Sequence, residues 1–301
     1  MAGITFDSYR TFFSNFNVGV YYTEMVSDKG LIYGSTETFK YLPTNESVRP
    51  IGIQLFGSTK ETLVEAIGII EKTCAYYDFI DLNAGCSVPK VLRGGCGSFL
   101  LQNLDKLKEI VSAMVSASSK PVSVKVRLGW NTNNIENIVD TLTQAGASLI
   151  AVHARFASQL FRGTPHWELL RNIQDRTTVP IVVSGDIYTL EDAINAITIT
   201  KAKGVMIARG GIGNPTFALN INEYYNNSPL TPVSTVNQKK YATALTIKTC
   251  EEMGEIKGVK ILRGLLPKFF NDFNNAKIYR IAITQCNSQR ELLDVIDQIK
   301  E

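Results

Sequence analysis

The sequence predicts an α/β protein: a (β/α)₈ TIM barrel followed by a small all-helical C-terminal domain. Short runs of β-branched and aromatic residues alternate with longer segments of helical period. Most of these short runs are nearly continuous in apolar residues, as strands of a parallel sheet covered by helices require. A chain of 301 residues is long enough for one large α/β domain and a small appendage.

Seven strands are predicted, one fewer than a closed barrel of this class contains. The missing strand should come first, but the chain opens at Met1-Ala-Gly-Ile-Thr. We therefore expect a first strand reduced to a stub, or a natural start upstream of Met1. The predicted strands are Val18–Glu24, Ile51–Phe56, Phe79–Asn83, Val122–Val126, Leu149–His153, Ile181–Ser184 and Gly204–Ile207.

Helical patterns fill the gaps between these strands and occupy the C-terminal part of the chain. A polar, proline-bearing stretch over 226–237 is typical of a linker. The sequence therefore predicts a catalytic barrel over 1–228 and a helical domain over 238–301. The predicted helices are Ser58–Tyr76, Leu104–Ser118, Ile135–Ala145, Leu190–Thr198, Lys239–Met253, Lys257–Asn271 and Gln289–Ile299.

Composition argues against several classes of protein. Apolar residues make up 45% and charged residues 20%, and no apolar run reaches the roughly 18 residues of a membrane span. The five cysteines form no C-x-x-C pair, and only two histidines are present, so neither a disulfide framework nor a metal centre is expected. The first residues do not have the pattern of a secretory leader. We expect a cytoplasmic protein without a membrane or metal, and a monomer.

Positive charge is concentrated in the C-terminal part. From Thr235 onward there are 11 Lys and Arg against 8 Asp and Glu, while the rest of the chain holds 20 of each. Between Lys239 and Arg280 the balance is 9 against 4. This excess favours an anionic partner, although solvated helix faces produce similar local excesses.

Each predicted strand ends in polar groups. In a barrel, residues at the carboxyl ends of the strands line the functional site. Any one of these groups could be a hydrogen-bonded structural residue, but a shared pocket explains all of them together. In order they are Glu24, Gln54, Asn83 leading to Cys86, Lys125 with Arg127, His153 with Arg155, Ser184-Gly185-Asp186, and Ala208-Arg209-Gly210-Gly211.

The last two groups predict a phosphate site. Glycine lets backbone N–H groups approach an anion closely, and Arg209 adds a cationic donor. Barrels bind phosphate at the ends of their final strands. Lys125 and His153 could then reach a ring system from the side, an arrangement that suits a flavin mononucleotide (FMN). The residues alone indicate a phosphate-bearing cofactor.

The motifs resemble those of the tRNA-dihydrouridine synthases, in colinear order from Met1 to about Pro215. The opening Met1-Ala-Gly-Ile-Thr with Arg10, and Tyr22-Thr-Glu-Met-Val26, are also similar to that family. The motifs that carry the resemblance are Asp81-Leu-Asn-Ala-Gly-Cys-Ser-Val-Pro-Lys, Val124-Lys-Val-Arg-Leu-Gly-Trp130, Val152-His-Ala-Arg155, Gly185-Asp-Ile187 and Ala208-Arg-Gly-Gly-Ile-Gly-Asn-Pro215.

The resemblance implies an FMN barrel, a helical tRNA-binding domain, and reduction of a tRNA uridine to 5,6-dihydrouridine at the expense of NADPH or NADH. Hydride would pass from flavin N5 to C6, and Cys86 would give the proton to C5. Asn83, Arg127 and Arg155 would contact the base or nearby phosphate. The residues implied to hold FMN are Met1, Ala2, Gln54, Lys125, His153, Gly185, Asp186, Ala208, Arg209 and Gly210.

Two cysteines lie ten residues apart, and the resemblance separates them. Cys86 matches the proton donor, whereas Cys96 matches a position in a glycine-rich turn that is not catalytic. The family usually has proline after this first cysteine, and here Ser87 follows it. Ser184 stands where asparagine commonly precedes Gly-Asp. His166 is interpreted as a surface residue.

Two other functions are compatible with these residues. One is an FMN barrel that acts on a free pyrimidine or another small molecule, which leaves the basic tail unexplained. The other is a catalytically impaired relative that only binds tRNA.

Overall fold

The computed structural model describes residues 1, 3–44, 46, 48–271 and 273–300. Its contacts divide the chain into two compact units. The first unit, called here the sheet unit, contains Met1–Gly3 and Val20–Ala208. The second, called here the helical unit, contains Ile4–Gly19 and Arg209–Glu301, so it takes residues from both ends of the chain.

The sheet unit is built on a sheet whose strands are all parallel. Each strand pairs with the next in chain order from β3 to β8, as in a barrel of βα repeats. The eight strands are β1 (Tyr21–Tyr22), β2 (Val26–Ser27), β3 (Ile51–Phe56), β4 (Phe79–Ala84), β5 (Val122–Arg127), β6 (Leu149–His153), β7 (Ile181–Ser184) and β8 (Gly204–Val205).

The first two strands are the halves of one interrupted strand. Tyr21 pairs with Ile51 at the start of β3, and Val26 pairs with Leu55 near its end. β1 lies within the predicted strand Val18–Glu24, whereas β2 lies just beyond its predicted end. The described residues before Tyr21 form no strand, and the described ladders run from β1 to β8 without a ladder joining those two. The predicted fold class is confirmed as a curled parallel sheet with seven strand positions.

Helices of the sheet unit present one repeated apolar spacing. In α4, for example, Leu63, Ala66, Ile67 and Ile70 are buried, which is the i, i+3, i+4, i+7 stripe of a helix lying on a sheet. Side-chain caps fix where such helices begin, as when Thr59 accepts from the N–H of Thr62. The helices are α2 (Asp28–Ile32), α3 (Thr36–Phe39), α4 (Lys60–Thr73), α5 (Pro89–Leu92), α6 (Leu104–Ala117), α7 (Ile135–Gln144) and α8 (Leu190–Thr200).

The two faces of the sheet differ in polarity because side chains alternate along each strand. In β5, Val122, Val124 and Val126 are buried on one face, while Ser123 and Lys125 lie on the other. Strand register then extends the polar face sideways. It aligns Gln54 with Asp81, Asp81 with Ser123, Asn83 with Lys125, and Arg127 with His153.

Helices alone form the helical unit among its described residues. Phe12 of the first helix lies with its ring centroid 6.4 Å from that of Tyr241 and 6.5 Å from that of Phe269. Phe16 lies 5.0 Å from Tyr241, edge to face. This aromatic cluster joins residues from both ends of the chain. The helices are α1 (Asp7–Phe13), α9 (Pro215–Tyr225), α10 (Thr235–Met253), α11 (Glu255–Leu265), α12 (Ala276–Gln285) and α13 (Gln289–Gln298).

The division at Ala208 comes from contacts within the chain, whereas the functional boundary predicted at 228–238 stays a prediction. Within the described residues, no helix has the length and apolar character needed to cross a bilayer. Among the same residues, no group of three or more His, Cys, Asp or Glu side chains is arranged to hold a metal ion.

Candidate active site

A ladder of hydrogen bonds crosses the polar face of the sheet from Asp81 to Asn83. The carboxylate of Asp81 accepts from Ser123 Oγ at 2.5 Å and from Gln54 Nε2 at 2.7 Å. Gln54 Oε1 in turn accepts from Asn83 Nδ2 at 2.9 Å. Because each acceptor is fixed by its neighbour, the Asn83 carboxamide has one orientation, with Oδ1 directed away from Gln54.

That oxygen holds the loop that carries Cys86. Asn83 Oδ1 accepts from the backbone N–H of Gly85 at 3.2 Å and of Cys86 at 2.8 Å. On the other side of the same residue, the carbonyl of Cys86 accepts from Ser98 N–H at 2.9 Å and Ser98 Oγ at 3.1 Å. The backbone of Cys86 is therefore fixed at both its N–H and its C=O.

Cys86 is distinguished from the other cysteines by its exposure. Its side chain is half-buried, whereas Cys74, Cys96, Cys250 and Cys286 are buried. The Cys96 thiol donates to the Gly94 carbonyl at 3.3 Å, and burial raises its pKa. A buried thiol of raised pKa is an inert structural group, so the two cysteines of this loop differ in chemical environment.

A glycine next to Cys96 explains why this loop closes tightly. Gly97 has φ of +64°, in the region that favours glycine, and a Cβ there would lie 2.4 Å from the Cys86 carbonyl oxygen. Any side chain at this position would displace Ser98 from Cys86. The glycine-rich turn therefore serves backbone geometry, as the sequence predicts.

Lys125 supplies a cation beside this loop. It follows Ser123 on the same face of β5, and its ammonium makes no hydrogen bond with a described residue. Burial lowers the pKa of Lys125 to about 8, and the nearby charge of Arg127 acts in the same direction, while Asp81 and Cys86 oppose them. The Lys125 ammonium is therefore a candidate donor to an acceptor atom of a bound molecule.

Arg127, predicted to contact the substrate, is 2% exposed and its guanidinium is bonded to backbone oxygens. Nε donates to Gly85 O at 2.8 Å, and Nη1 donates to Phe156 O at 2.9 Å and Leu160 O at 2.7 Å. Burial lowers the pKa of Arg127 to about 10. These bonds tie the Cys86 loop to the loop that follows β6, and a contact between Arg127 and substrate stays a prediction.

Arg155 is also buried and pairs with Asp186. Its Nη1 donates to Asp186 Oδ1 at 3.0 Å, and Nη2 donates to the carbonyl of Gly163 at 2.6 Å. Nη1 also lies 3.4 Å from His153 Nε2. Because a guanidinium N–H can only donate, His153 accepts through Nε2 and carries its proton on Nδ1. Arg155 therefore contacts two of the predicted cofactor residues, His153 and Asp186, and its own contact with substrate stays a prediction.

The turn after β7 has an unusual backbone. Gly185 has φ of +124° and Asp186 has φ of +47°. A Cβ on Gly185 would lie 3.0 Å from His153 Cδ2 and 3.2 Å from Pro165 Cβ. Glycine is thus required for the close approach of this turn to His153, and the ion pair with Arg155 holds Asp186 in its left-handed conformation.

These side chains form a donor set that fits a polar ring system such as a flavin. The half-buried ammonium of Lys125 has no described acceptor, and the ring of His153 lies close to Arg155 and Gly185. The carboxamide of Gln54 is committed through Nε2 to Asp81 and through Oε1 to Asn83, which leaves one N–H and one lone pair. Lys125 can therefore donate to a bound cofactor, and Gln54 can do so with its remaining N–H, while a cofactor contact of His153 stays a prediction.

The remaining predicted cofactor residues are distributed along the chain. Ala208 ends the sheet unit, while Arg209 and Gly210 begin the helical unit in the short 3₁₀ turn Arg209–Gly211. Met1 is half-buried, and the N–H of Gly3 donates to the buried carboxylate of Glu24. Ala2 lies outside the described residues. Their roles in holding a cofactor stay predictions.

Sequence reasoning missed Asp81, Ser98 and Ser123. A signal for Asp81 was present, because it precedes Asn83 by two positions and so shares its face of the strand. His166 is half-buried: its Nε2 lies 3.1 Å from Gln159 Nε2, and its backbone N–H donates to Ala154 O.

The fold and the site define a parallel α/β protein whose functional groups collect at the carboxyl ends of its strands. The model of the dihydrouridine synthase (Dus) family matches residues 1–301, and this chain therefore belongs to that family. The resemblance inferred from the motifs is confirmed.

Relatives match nearly the whole chain. The "Probable tRNA-dihydrouridine synthase" of Aquifex aeolicus is 31% identical over 304 residues, covering 100% of this chain and 94% of that protein. The "Probable tRNA-dihydrouridine synthase 1" of Synechocystis is 31% identical over 280 residues, covering 92% and 78%. The "tRNA-dihydrouridine synthase B" of Pasteurella multocida is 25% identical over 300 residues, covering 99% and 90%.

Among solved structures, the fold is similar to that of 6-hydroxypseudooxynicotine amine oxidase from Pseudomonas geniculata. The TM-score is 0.54 at 11% identity, covering 80% of this chain and 47% of that chain. At this identity the likeness concerns the fold alone.

Proposed function

We propose that this chain is a tRNA-dihydrouridine synthase that uses FMN with NADPH or NADH to reduce the C5–C6 double bond of a tRNA uridine. The observation that carries the proposal is the half-buried thiol of Cys86, close to Lys125 at the carboxyl end of β4. Family membership supports the choice of substrate, because the relatives bear that name.

The reaction adds a hydride at C6 and a proton at C5 of the uracil ring. When bound, FMN supplies the hydride after its own reduction by the nicotinamide cofactor. Cys86 Sγ gives its proton to C5, and the thiolate then recovers a proton from solvent. The sum is uridine, NADPH and H⁺ giving dihydrouridine and NADP⁺.

Cysteine suits this role for a simple chemical reason. A thiol carries a proton on sulfur and can give it up as a general acid. Arg127 donates to the carbonyl of Gly85 and Asn83 accepts from the N–H of Cys86, which fixes the backbone that carries the thiol. A fixed acid is more effective because its orientation is set before the reaction begins.

We assign the cofactor to the donors at the ends of β3, β5, β6 and β7. Lys125 would donate to the ring system and His153 would contact it, while Gln54 would offer its remaining N–H. The other residues that the resemblance implies for the cofactor remain part of the proposal: Met1, Ala2, Gly185, Asp186, Ala208, Arg209 and Gly210.

The substrate base is assigned to Asn83, Arg127 and Arg155. Reaching a base inside folded tRNA requires the nucleotide to leave its stack, which RNA-modifying enzymes achieve by extruding it into a pocket. Recognition of the rest of the tRNA is assigned to the region 238–301. There the exposed cations Lys257 and Lys260 lie one turn apart on α11, and Lys277 and Arg280 lie one turn apart on α12. A monomer in the cytoplasm is the simplest setting for this activity.

Incubation with FMN, NADPH and unmodified tRNA tests the proposal. We expect one uridine to gain two mass units, located by mass spectrometry of nuclease fragments. Turnover of a free pyrimidine without any change in the tRNA would instead support a small-molecule oxidoreductase. A colourless protein that takes up no FMN but retains tRNA would identify an impaired, tRNA-binding relative.

A further inference from the structure

A pair of buried serines, Ser87 and Ser98, lies against the backbone of Cys86. Ser98 is fully buried and Ser87 is 4% exposed. Their Oγ atoms are 2.9 Å apart, and Ser98 Oγ lies 3.1 Å from the Cys86 carbonyl oxygen. Ser87 occupies the position where the family usually has proline.

The hydrogen-bond directions in this pair follow from counting protons. A carbonyl oxygen can only accept, so the single proton of the Ser98 hydroxyl goes to Cys86 O. Ser98 Oγ must then accept from Ser87, which donates its own proton. Ser87 therefore acts on Cys86 only through Ser98.

The backbone N–H of Cys86 is also held by a hydrogen bond. Its N–H donates to Asn83 Oδ1, whose carboxamide is fixed by Gln54. Gly97 brings Ser98 close enough to bind, because a side chain at that position would collide with Cys86 O. Rotation of the Cys86 peptide groups thus requires a bond to break at one end or the other.

We propose that Ser98, supported by Ser87, is a positioning residue that fixes the direction of the Cys86 thiol. The inference rests on the proposed role of Cys86 as proton donor. In this chain the hydrogen bonds of the serine pair restrain the backbone after the cysteine, as the ring of a proline at that position would. The direction of the thiol is consequently set by a contact between residues twelve positions apart.

The test compares Ser98→Ala and Ser87→Ala with a matched control, Ser148→Ala. Ser98 donates to one carbonyl, that of Cys86, through both its N–H and its Oγ. Ser148 does the same to the carbonyl of Val122, at 2.8 Å each. Val122 lies at the opposite end of its strand from the site, so the control removes the same kind of bond away from Cys86.

The first readout is alkylation of Cys86 by iodoacetamide in the FMN-bound protein, followed by peptide mass spectrometry. The four other cysteines are buried, so Cys86 is the thiol the reagent reaches. We expect Ser98→Ala to raise the alkylation rate about threefold, because a released loop exposes the thiol to a small reagent. An unchanged rate overturns the proposal.

The second readout is uridine reduction. We expect Ser98→Ala to lower kcat about tenfold, the factor that corresponds to loss of ~1.4 kcal/mol of positioning. KM for tRNA and the rate of flavin reduction by NADPH should stay within twofold. Faster alkylation together with slower turnover is the result expected if the Cys86 thiol is no longer held in its productive direction. A fall in both rates points to general damage and overturns the assignment.

Non-additivity gives the third readout. Ser87→Ala should shift both rates in the same directions by a smaller factor, and it should add nothing when Ser98 is already alanine. Additive effects would contradict the proton count. If the unaltered protein forms no dihydrouridine, the proposed function fails, while the alkylation arm alone still decides whether the serines hold the loop.

Discussion

The carboxylate of Asp81 and the ammonium of Lys125 lie on one face of adjacent strands and act on each other's ionisation. Burial raises the pKa of Asp81 to about 6, against which Ser123, Gln54 and Lys125 all work. Burial lowers the pKa of Lys125 to about 8. Desolvation therefore outweighs the mutual attraction for both groups, and each is held in a charged form at a cost in folding free energy.

Replacement of Asp81 by Asn should flatten the pH dependence of stability. Because the folded pKa of Asp81 exceeds its unfolded value, its stabilising effect is full below about pH 4 and is lost as pH rises through about 6. The two-unit difference corresponds to about 3 kcal/mol. Urea unfolding between pH 4 and 7 measures it, and an unchanged slope in Asp81→Asn would contradict the prediction.

Asp140 provides a control of opposite sign. Its hydrogen bond with Arg176 lowers the pKa of the carboxyl group, so its contribution is present above the unfolded pKa and is lost as pH falls. Asp140→Asn should therefore reduce stability at pH 7 and leave it unchanged at low pH. The pair is half-exposed, so the effect should be less than about 1 kcal/mol.

Cys86→Ala should retain FMN and its reduction by NADPH while losing at least a hundredfold in uridine reduction, because the proton at C5 then lacks a positioned donor. The matched variant Cys96→Ala removes a buried thiol from the same loop and should keep turnover within about threefold. Stopped-flow absorbance follows flavin reduction, and mass spectrometry of the tRNA follows the product. Equal losses in both variants would refute the distinction between the two cysteines.

Loss of Arg155 should destabilise the fold. Arg155→Ala leaves Asp186 without its buried partner and frees the Gly163 carbonyl, so the free energy of unfolding should fall by about 3–5 kcal/mol. Arg171→Ala, which removes an exposed ion pair with Glu168, should cost less than about 1 kcal/mol. Denaturant titration compares them, and similar losses would show that burial of the Arg155 pair is unimportant.

Charge reversal on α11 should weaken binding of tRNA without altering chemistry at the flavin. Lys257→Glu with Lys260→Glu should raise KM for tRNA about tenfold or more and reduce the dependence of log K on log salt by about one to two. Lys72→Glu, an equally exposed lysine on α4 of the sheet unit, is the control. Equal effects on KM for tRNA from the α11 variant and from Lys72→Glu would contradict a specific role of α11 in tRNA binding.

The sequence predicted strand bounds best where a short apolar run is bounded by polar residues. Ile51–Phe56, Leu149–His153 and Ile181–Ser184 match the observed bounds, because their runs of Val, Ile and Leu are short and end in polar residues. The helix α12 was missed. Only Ile283 of that helix is buried, so the periodic apolar stripe that signals a helix is weak there.

Within the site, the sequence pointed to strand ends but not to the bonds between them. Asn83 was predicted to face the substrate, and the structure shows its carboxamide bonded to Gln54 and to the Cys86 N–H. The contact of Ser98 with Cys86 depends on the left-handed backbone of Gly97, and no local pattern encodes which carbonyl a serine twelve residues away will reach. Such contacts are set by loop closure in three dimensions.

The aromatic cluster of the helical unit has a consequence for how the protein is made. Phe12 and Phe16 leave the ribosome before any strand of the sheet, yet Tyr241 and Phe269, which complete their packing, emerge more than two hundred residues later. During synthesis these phenyl rings stay exposed to water, or are bound by a chaperone, while the sheet unit forms. A fragment that begins at Arg209 would lack them, so an isolated helical unit would need residues 4–19 supplied to bury its core.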